Sequence, residues 1–492
     1  MTMVLNNIIK LFIILLLIFT PIAFGSVELW AFSLMEFGIL LIIILGTIQS
    51  LFYYSFDTKF LIPKFVRRIL KPDIHNTHHE RSNPSFHITH FKFPIILLFL
   101  FLILLLLQMT PLPSVIVKSI SPKTYELRDQ LLMNSNQLLT TPFSFVPFVT
   151  QIEFFKWLTL IGLLLFLLNW RFLNHRILNH LILVIMLIGI GESLYGMFEF
   201  FSGHRYILHL NMESRFSSVT GTFINHNYFA GYLLMVIPLS VGYLFSRNAL
   251  KKEQPMGWRN WLSSLDGKTL LIGFGLILMI LGLLFSASRM GIFSLLLSFS
   301  LISFLFKDSQ RKQRFSKTSF LIFVLGLLWG AWIGLDAVID RFFTASEDFG
   351  PRWMIWANTF QIIKDFPLIG SGLGTFIQVF PMYRSFHIRG LVTHAENDFL
   401  QLISEIGLIG IGLLLVLFFL LLYKAVIGIR SLSRRDPGRY IGMGSIIGIL
   451  ALMFHSIVER NIQVPANAFL FTFILAMVLK ISTRKTIEIK QN

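Results

Sequence analysis

What constrains this chain most is the serial recurrence of apolar runs close to twenty residues long. Twelve are readable, at about 8–24, 29–53, 93–112, 154–170, 179–202, 227–246, 269–287, 290–306, 318–338, 399–423, 439–457 and 467–483. A bilayer core about 30 Å thick needs roughly 20 helical residues per crossing. In hydrocarbon the backbone must satisfy its own hydrogen bonds, which leaves helices or closed barrels. The alternating segments of about ten residues that mark a membrane barrel are absent. The expected fold is therefore all-α, a polytopic transmembrane helical bundle of about 12 spans. Only 14% of the residues are charged, against about 25% in soluble domains. The first run, near Asn7 to Phe24, lacks a convincing small-x-small cleavage site and is read as a retained helix rather than a cleaved leader.

The formal net charge of +17 would suggest nucleic acid in a soluble protein, but here topology explains it. With the N-terminus in the cytoplasm, 29 of the 42 Lys and Arg fall on the inner side, as the positive-inside rule requires. Both termini are then cytoplasmic, and no nucleic-acid partner is expected. The chain has no Cys, which excludes thiol chemistry, disulfides and Cys-ligated metal. No 20–50-residue repeat is present, so a solenoid is excluded.

Residues 1–178 read as an N-terminal transmembrane scaffold with a basic cytoplasmic loop at 54–92. His75, His78 and His79 in that loop read as a solvated segment rather than a metal site. The outer loop 113–153 is polar and carries no evident chemistry. Residues 179–483 form a second region, followed by a cytoplasmic tail at 484–492. In this region four outer segments are expected to converge: SRFSSVTGTFINHNYFAGYLL, the turn SASRMG, the long loop 339–398 between spans nine and ten, and HSIVERNIQVPANAF. Within the long loop, Pro351 suits a helix start. Trp353, Trp356, Phe360 and Ile363 follow at helical spacing, an amphipathic stripe suited to the membrane interface. Pro367 and IGSGLG break that helix, and a second short helix is expected within Leu373–Tyr383.

Titratable groups gather in these outer segments. Arg215, Arg289 and Arg352 each lie beside a span end on the side where topology does not need them. A guanidinium near hydrocarbon usually faces a polar cavity, and its fork matches phosphate oxygens. The three are read as a clamp for a phosphate or diphosphate, against ion pairing with Glu213, Asp340 or Glu347. His394, in VTHAENDFL, is the candidate general base, with Glu396, Asn397 or Asp398 to orient it. Thr393 and Glu396 also fit a helix capping box. His387 is the competing base. Gly370, Gly372 and Gly374 in IGSGLG either offer N–H groups to phosphate or form a turn. Asn225 and Asn227 either contact a sugar or cap a helix. No residue cluster resembles a metal site, and no cofactor is expected.

The segments GTFINHNYFAGYLLMVIPL, SASRMGIFSLLLS, PRWMIWANTFQIIKDFPLIGSGLGTF, THAENDFLQLISEIGLIG and HSIVERNIQVPANAF, in this order over roughly 180–480, resemble the O-antigen ligase/polymerase superfamily. That resemblance implies an inverting, metal-independent glycosyltransferase of the bacterial inner membrane, acting at the periplasmic face. It implies a glycan donor on undecaprenyl diphosphate, with lipid A–core as the acceptor of an O-antigen ligase. By the same resemblance His394 corresponds to the essential His of the periplasmic loop, and Arg215 and Arg289 to the diphosphate-binding arginines. Arg352 matches the Arg that opens the loop helix. A repeat-unit polymerase or a protein O-glycosyltransferase shares this chemistry with another acceptor. A bicarbonate-type transporter is the alternative of another class; its ionisable residues within spans would be Glu36 and Glu192.

Overall fold

The computed structural model describes residues 2–58, 91–131, 139–203, 206–211, 218–248, 266–305, 345–387 and 390–483. The expected span at 318–338, the His-rich part of the 54–92 loop, Arg215 and the tail lie outside these residues. The helices are α1 (Thr2–Ile22), α2 (Leu29–Thr58), α3 (Lys92–Met109), α4 (Ser114–Ile120), α5 (Pro122–Leu131), α6 (Pro147–Asn169), α7 (His175–Ser202), α8 (His226–Asn248), α9 (Gly267–Phe285), α10 (Arg289–Leu305), α11 (Ala345–Asp365), α12 (Phe376–Val379), α13 (Asp398–Ser431), α14 (Pro437–His455) and α15 (Pro465–Ser482). Two short antiparallel pairings, Leu112–Pro113 with Thr140–Thr141 and Tyr206–Ile207 with Leu210–Asn211, are the strands among the described residues. The protein is an all-α polytopic membrane bundle.

Ten of the described helices are long and apolar enough to cross a membrane. α10, at the eighth expected span, is apolar but shorter. Two boundaries differ most from expectation. α6 begins at Pro147, where a missing N–H is harmless. α13 runs on to Ser431, past Lys424 and Arg430, whose long stems carry the charge away from apolar surface.

The bundle is built around α8, α14 and α15, the most buried of its spans. Small residues let α8 and α14 close to backbone contact. A Cβ on Gly444 would sit 2.3 Å from the Pro238 carbonyl oxygen, and one on Gly242 2.5 Å from that of Tyr440. Between membrane helices such close approach replaces the hydrophobic drive that lipid cannot supply. α1–α3, α7, α9 and α13 surround this core and turn large apolar side chains outward, among them Phe37, Phe99, Phe198, Leu271 and Phe419.

The segment around α11 and α12 has a small core of its own. Ile355 and Ile362 of α11 and Phe366 just beyond it pack with Phe376, Val379, Phe380, Val392 and Ala395. The buried face of α11 is therefore not the expected stripe, since Trp353 and Phe360 are exposed, as interfacial residues would be. The helix also starts six residues before Pro351, so the proline costs its second turn one hydrogen bond rather than opening the helix. α12 and a 3₁₀ turn at Phe380–Met382 occupy the second expected helix.

A break in α13 joins this segment to the bundle. Gly407, at φ +64° and ψ −176°, interrupts the helix. The irregular, turn-containing run 367–374 fills the gap. Leu408 and Ile409 donate N–H bonds to the carbonyls of Pro367 and Leu368, while Ser371 and Gly372 donate to those of Ser404 and Glu405. Gln108 of α3 completes the stitching: its amide donates to the Ile369 and Glu405 carbonyls at 2.7 and 2.9 Å and accepts from Leu373 N–H. Non-helical backbone at membrane depth survives only when its polar groups are satisfied in this way.

Candidate functional site

The described parts of the four segments meet at one end of the bundle. The anchor is Asp398, the first residue of α13. Its Oδ2 accepts the N–H groups of Asn461 and Ile462 at 2.6 and 2.7 Å, and its own N–H donates to the Ser456 carbonyl. A buried carboxylate thus pins the turn between α14 and α15 to the start of α13, a charge-assisted arrangement stronger than neutral hydrogen bonds. The α9–α10 turn joins through Ser288, whose hydroxyl lies 3.2 Å from His455 Nε2; His455 Nδ1 in turn meets the Asn461 amide at 3.0 Å. Arg289 follows directly and opens α10, at the same end of the bundle.

The segment before α8 is held from below. Glu192 of α7 accepts the N–H of Thr222 at 2.8 Å and the Thr222 hydroxyl. Its carboxylate is therefore engaged in positioning 218–223. Asn225 Oδ1 accepts Asn227 N–H, which is the cap role. The Asn227 amide reaches the Glu459 carboxylate.

Glu459 is the centre of the charged cluster. Arg352 Nη2 lies 2.6 Å from its Oε1. Burial pushes the Glu459 carboxyl up to about 8, against the opposing pull of Arg352, because desolvation disfavours the charged form. Arg352 therefore has an acidic partner in Glu459, while the side chains of Glu213, Asp340 and Glu347 considered from the sequence lie outside the described residues. Glu396, also near Arg352 and Arg460, is held above the usual carboxylate range by burial. Its backbone is left-handed at φ +51°, a conformation that non-glycine residues avoid except where surroundings impose it. α13 is capped not by Thr393 but by Asn397, whose side chain accepts Leu400 N–H at 2.9 Å. The capping box does not form, since Glu396 lies outside the helix in a left-handed turn.

His394 stands in the non-helical segment that leads into this turn. Two contacts on its neighbour fix it: Trp356 Nε1 donates to the Ala395 carbonyl, and Ala395 N–H donates to Gln401 Oε1. The loop core, through Val392 and Ala395, thus sets where the imidazole lies. Its Nε2 contacts Nη1 of Arg460, and its Nδ1 is buried without a hydrogen-bond partner. Burial first, then Arg460 and Lys156, push the imidazole down to about 2, so the ring is neutral. Arg460 also hydrogen-bonds the Tyr228 hydroxyl.

Arg460 and Glu459 were not singled out from the sequence. The signal was available, because Arg460 lies beside a span end in a segment expected to be outer, the criterion that selected Arg352. The glycine run plays the other of its two roles. Gly370, Gly372 and Gly374 all have positive φ, and a Cβ on Gly370 would lie 2.3 Å from the Glu405 backbone. The Gly372 N–H bonds the Glu405 carbonyl and that of Gly374 the Glu405 carboxylate, so the run is used for support. The loop 113–153 contributes here: Arg128 donates to the Ser144 and Phe145 carbonyls, and Phe145 N–H to Ser371. His387 is exposed and away from these contacts. Among the described residues no group of three or more His, Cys, Asp or Glu is arranged to hold a metal.

No curated protein matches the chain. A family model described as O-antigen ligase matches residues 274–415. The match spans Arg289, Arg352, the glycine run, His394 and the broken first half of α13, while Asn227, Glu459 and Arg460 lie outside it. With these motifs in order on a polytopic bundle, the match over 274–415 supports the O-antigen ligase-like superfamily for this part of the chain.

Proposed function

We propose that the protein transfers a glycan, with inversion and without a metal ion, from a polyprenyl diphosphate carrier to an acceptor hydroxyl at the periplasmic face. Ligation of O-antigen to lipid A–core is the leading form of this reaction. The observation that carries the reading is the gathering of His394, Arg289, Arg352 and Arg460 with buried carboxylates at one end of a membrane bundle. In the reaction His394 takes the proton of the acceptor hydroxyl. The acceptor oxygen bonds to the anomeric carbon as the bond to the carrier diphosphate breaks. Arg289, with Arg215, stabilises charge on the departing diphosphate, usually the largest electrostatic demand of such a step. Arg352, paired with Glu459, holds the outer segments in register and supports that field. Chelation with EDTA is expected to leave turnover unchanged.

The test is deletion of the gene in its host, with surface and carrier-linked glycans resolved on a gel beside wild-type and His394→Ala complements. Loss of long chains from lipid A–core, with polymer accumulating on the carrier, supports ligation. Lipid A–core carrying single repeats makes the protein a polymerase. Unchanged envelope glycans direct attention to glycoproteins and then to transport, and would overturn the ligase reading.

A further inference from the structure

Arginine only donates hydrogen bonds. In the contact between Arg460 Nη1 and His394 Nε2, the imidazole nitrogen must therefore be the acceptor. A neutral ring has one lone pair, so its proton sits on Nδ1. The nitrogen able to remove a proton is the one Arg460 covers, and the remaining ring atom is a donor. That Nδ1 is buried without a partner, and so is Nε of Arg460 itself. Two adjacent side chains thus each leave a buried donor unsatisfied, at a cost of about 1–3 kcal/mol apiece in most settings. Donors left over beside Glu396, Glu459 and Tyr228 call for an acceptor-rich group, and a phosphate oxygen has that chemistry.

We propose that Arg460 is a latch on His394 and a ligand of the donor's diphosphate: binding of the diphosphate draws the guanidinium off Nε2 and uncovers the base. The proposal rests on the reading of His394 as base and of a lipid diphosphate as donor. It adds an order to the reaction. Donor binds first, Arg460 turns to the phosphate oxygens, and only then does Nε2 take the acceptor proton as the new C–O bond forms. The leaving diphosphate keeps the electron pair of the broken bond. The imidazolium afterwards releases its proton to water, and Arg460 returns to Nε2. An acceptor arriving without donor meets a covered base, which protects the site from idle proton transfer.

The test uses the full chain in nanodiscs and diethyl pyrocarbonate, which acylates an imidazole nitrogen through its lone pair. Carbethoxylation of the His394 peptide is followed by mass spectrometry with and without undecaprenyl diphosphate, and binding of that probe is measured in parallel. Ligands usually shield a histidine; here the diphosphate is expected to raise the His394 rate about tenfold, the population factor for losing one charge-assisted hydrogen bond. Arg460→Gln should react at the raised rate with or without the probe, and should bind it more weakly. Arg460→Lys, which keeps a cation, serves if the Gln variant does not fold. Binding by wild type with an unchanged or lowered His394 rate overturns the latch and leaves the donor reading standing. Absence of binding removes the donor reading itself. An equal rise in nanodiscs that hold phosphatidylglycerol and no probe would assign the anion to a lipid headgroup and overturn the donor assignment.

Discussion

The two ends of the central helices handle charge differently. At the end away from His394, cations meet backbone carbonyls and solvent. Arg439 donates to the carbonyls of Arg430 and Leu432 at the C-terminal end of α13. Lys480 reaches those of Leu167 and Trp170 at the end of α6, and Arg247 pairs with the exposed Asp266. These are helix C-terminal contacts of the kind that favour a positive side chain. At the His394 end, carboxylates and guanidinia are buried together, and some donors stay unsatisfied. The first arrangement fixes topology and stabilises at little expense. The second is held at the expense of desolvation, and natural proteins tolerate such places where chemistry is done.

The comparison can be broken most directly at His394. His394→Ala should lower glycan transfer at least about a hundredfold, the usual range for losing a general base, with insertion and unfolding temperature kept. Full activity in surface-glycan gels would remove the base. Next is Arg352→Ala, expected to destabilise by on the order of 2–3 kcal/mol in a detergent unfolding assay. The loss is limited because Glu459, whose carboxyl titrates near 8, already holds its proton at neutral pH and is not left as a buried unpaired charge. Arg352→Ala with Glu459→Gln should recover much of it.

A smaller effect follows from pH. The folded-state carboxyl of Glu459 titrates near 8, above its unfolded value, so the folded protein holds the extra proton. This contribution is full below about pH 4.3 and is lost as pH rises towards 8. His394 has the opposite sign: its folded pKa lies far below 6.5, so its contribution is present above 6.5 and is lost on acidification. Unfolding midpoints of Glu459→Gln should lose the alkaline decline, and those of His394→Gln part of the acid one. The smallest change is expected at the opposite end, where Arg247→Ala should leave the midpoint unmoved, as exposed pairs usually do.

The spans were legible because length and apolar content alone decide a membrane helix. Eleven of the twelve expected segments coincide with described helices, and the twelfth lies at 318–338, outside the described residues. The outer cluster was half legible. His394, Arg289 and Arg352 stood out as polar residues at apolar borders. Their partners did not, because Arg460 is 66 residues from His394 in sequence and the Arg352–Glu459 pair joins α11 to the turn between α14 and α15. Such pairings are set by how α11, α13 and α14 meet, which no local pattern encodes. The capping box at Thr393 failed for the same reason: Gln401 and Trp356 hold the Ala395 backbone in a non-helical path and move the helix start to Asn397.

The stitch made by Gln108, the run 367–374 and the break at Gly407 bears on how relatives of this protein can be recombined. The outer segment that carries His394 is not a lid hung from two flexible ends. It is sewn into α3 and α13 by hydrogen bonds buried in the protein, where water does not compete for them. A chimera that exchanges only the outer loop would leave the Gln108 amide and the Glu405 carbonyl facing foreign backbone. The functional cassette is therefore the loop together with α3 and the first three turns of α13, although α3 lies more than two hundred residues upstream.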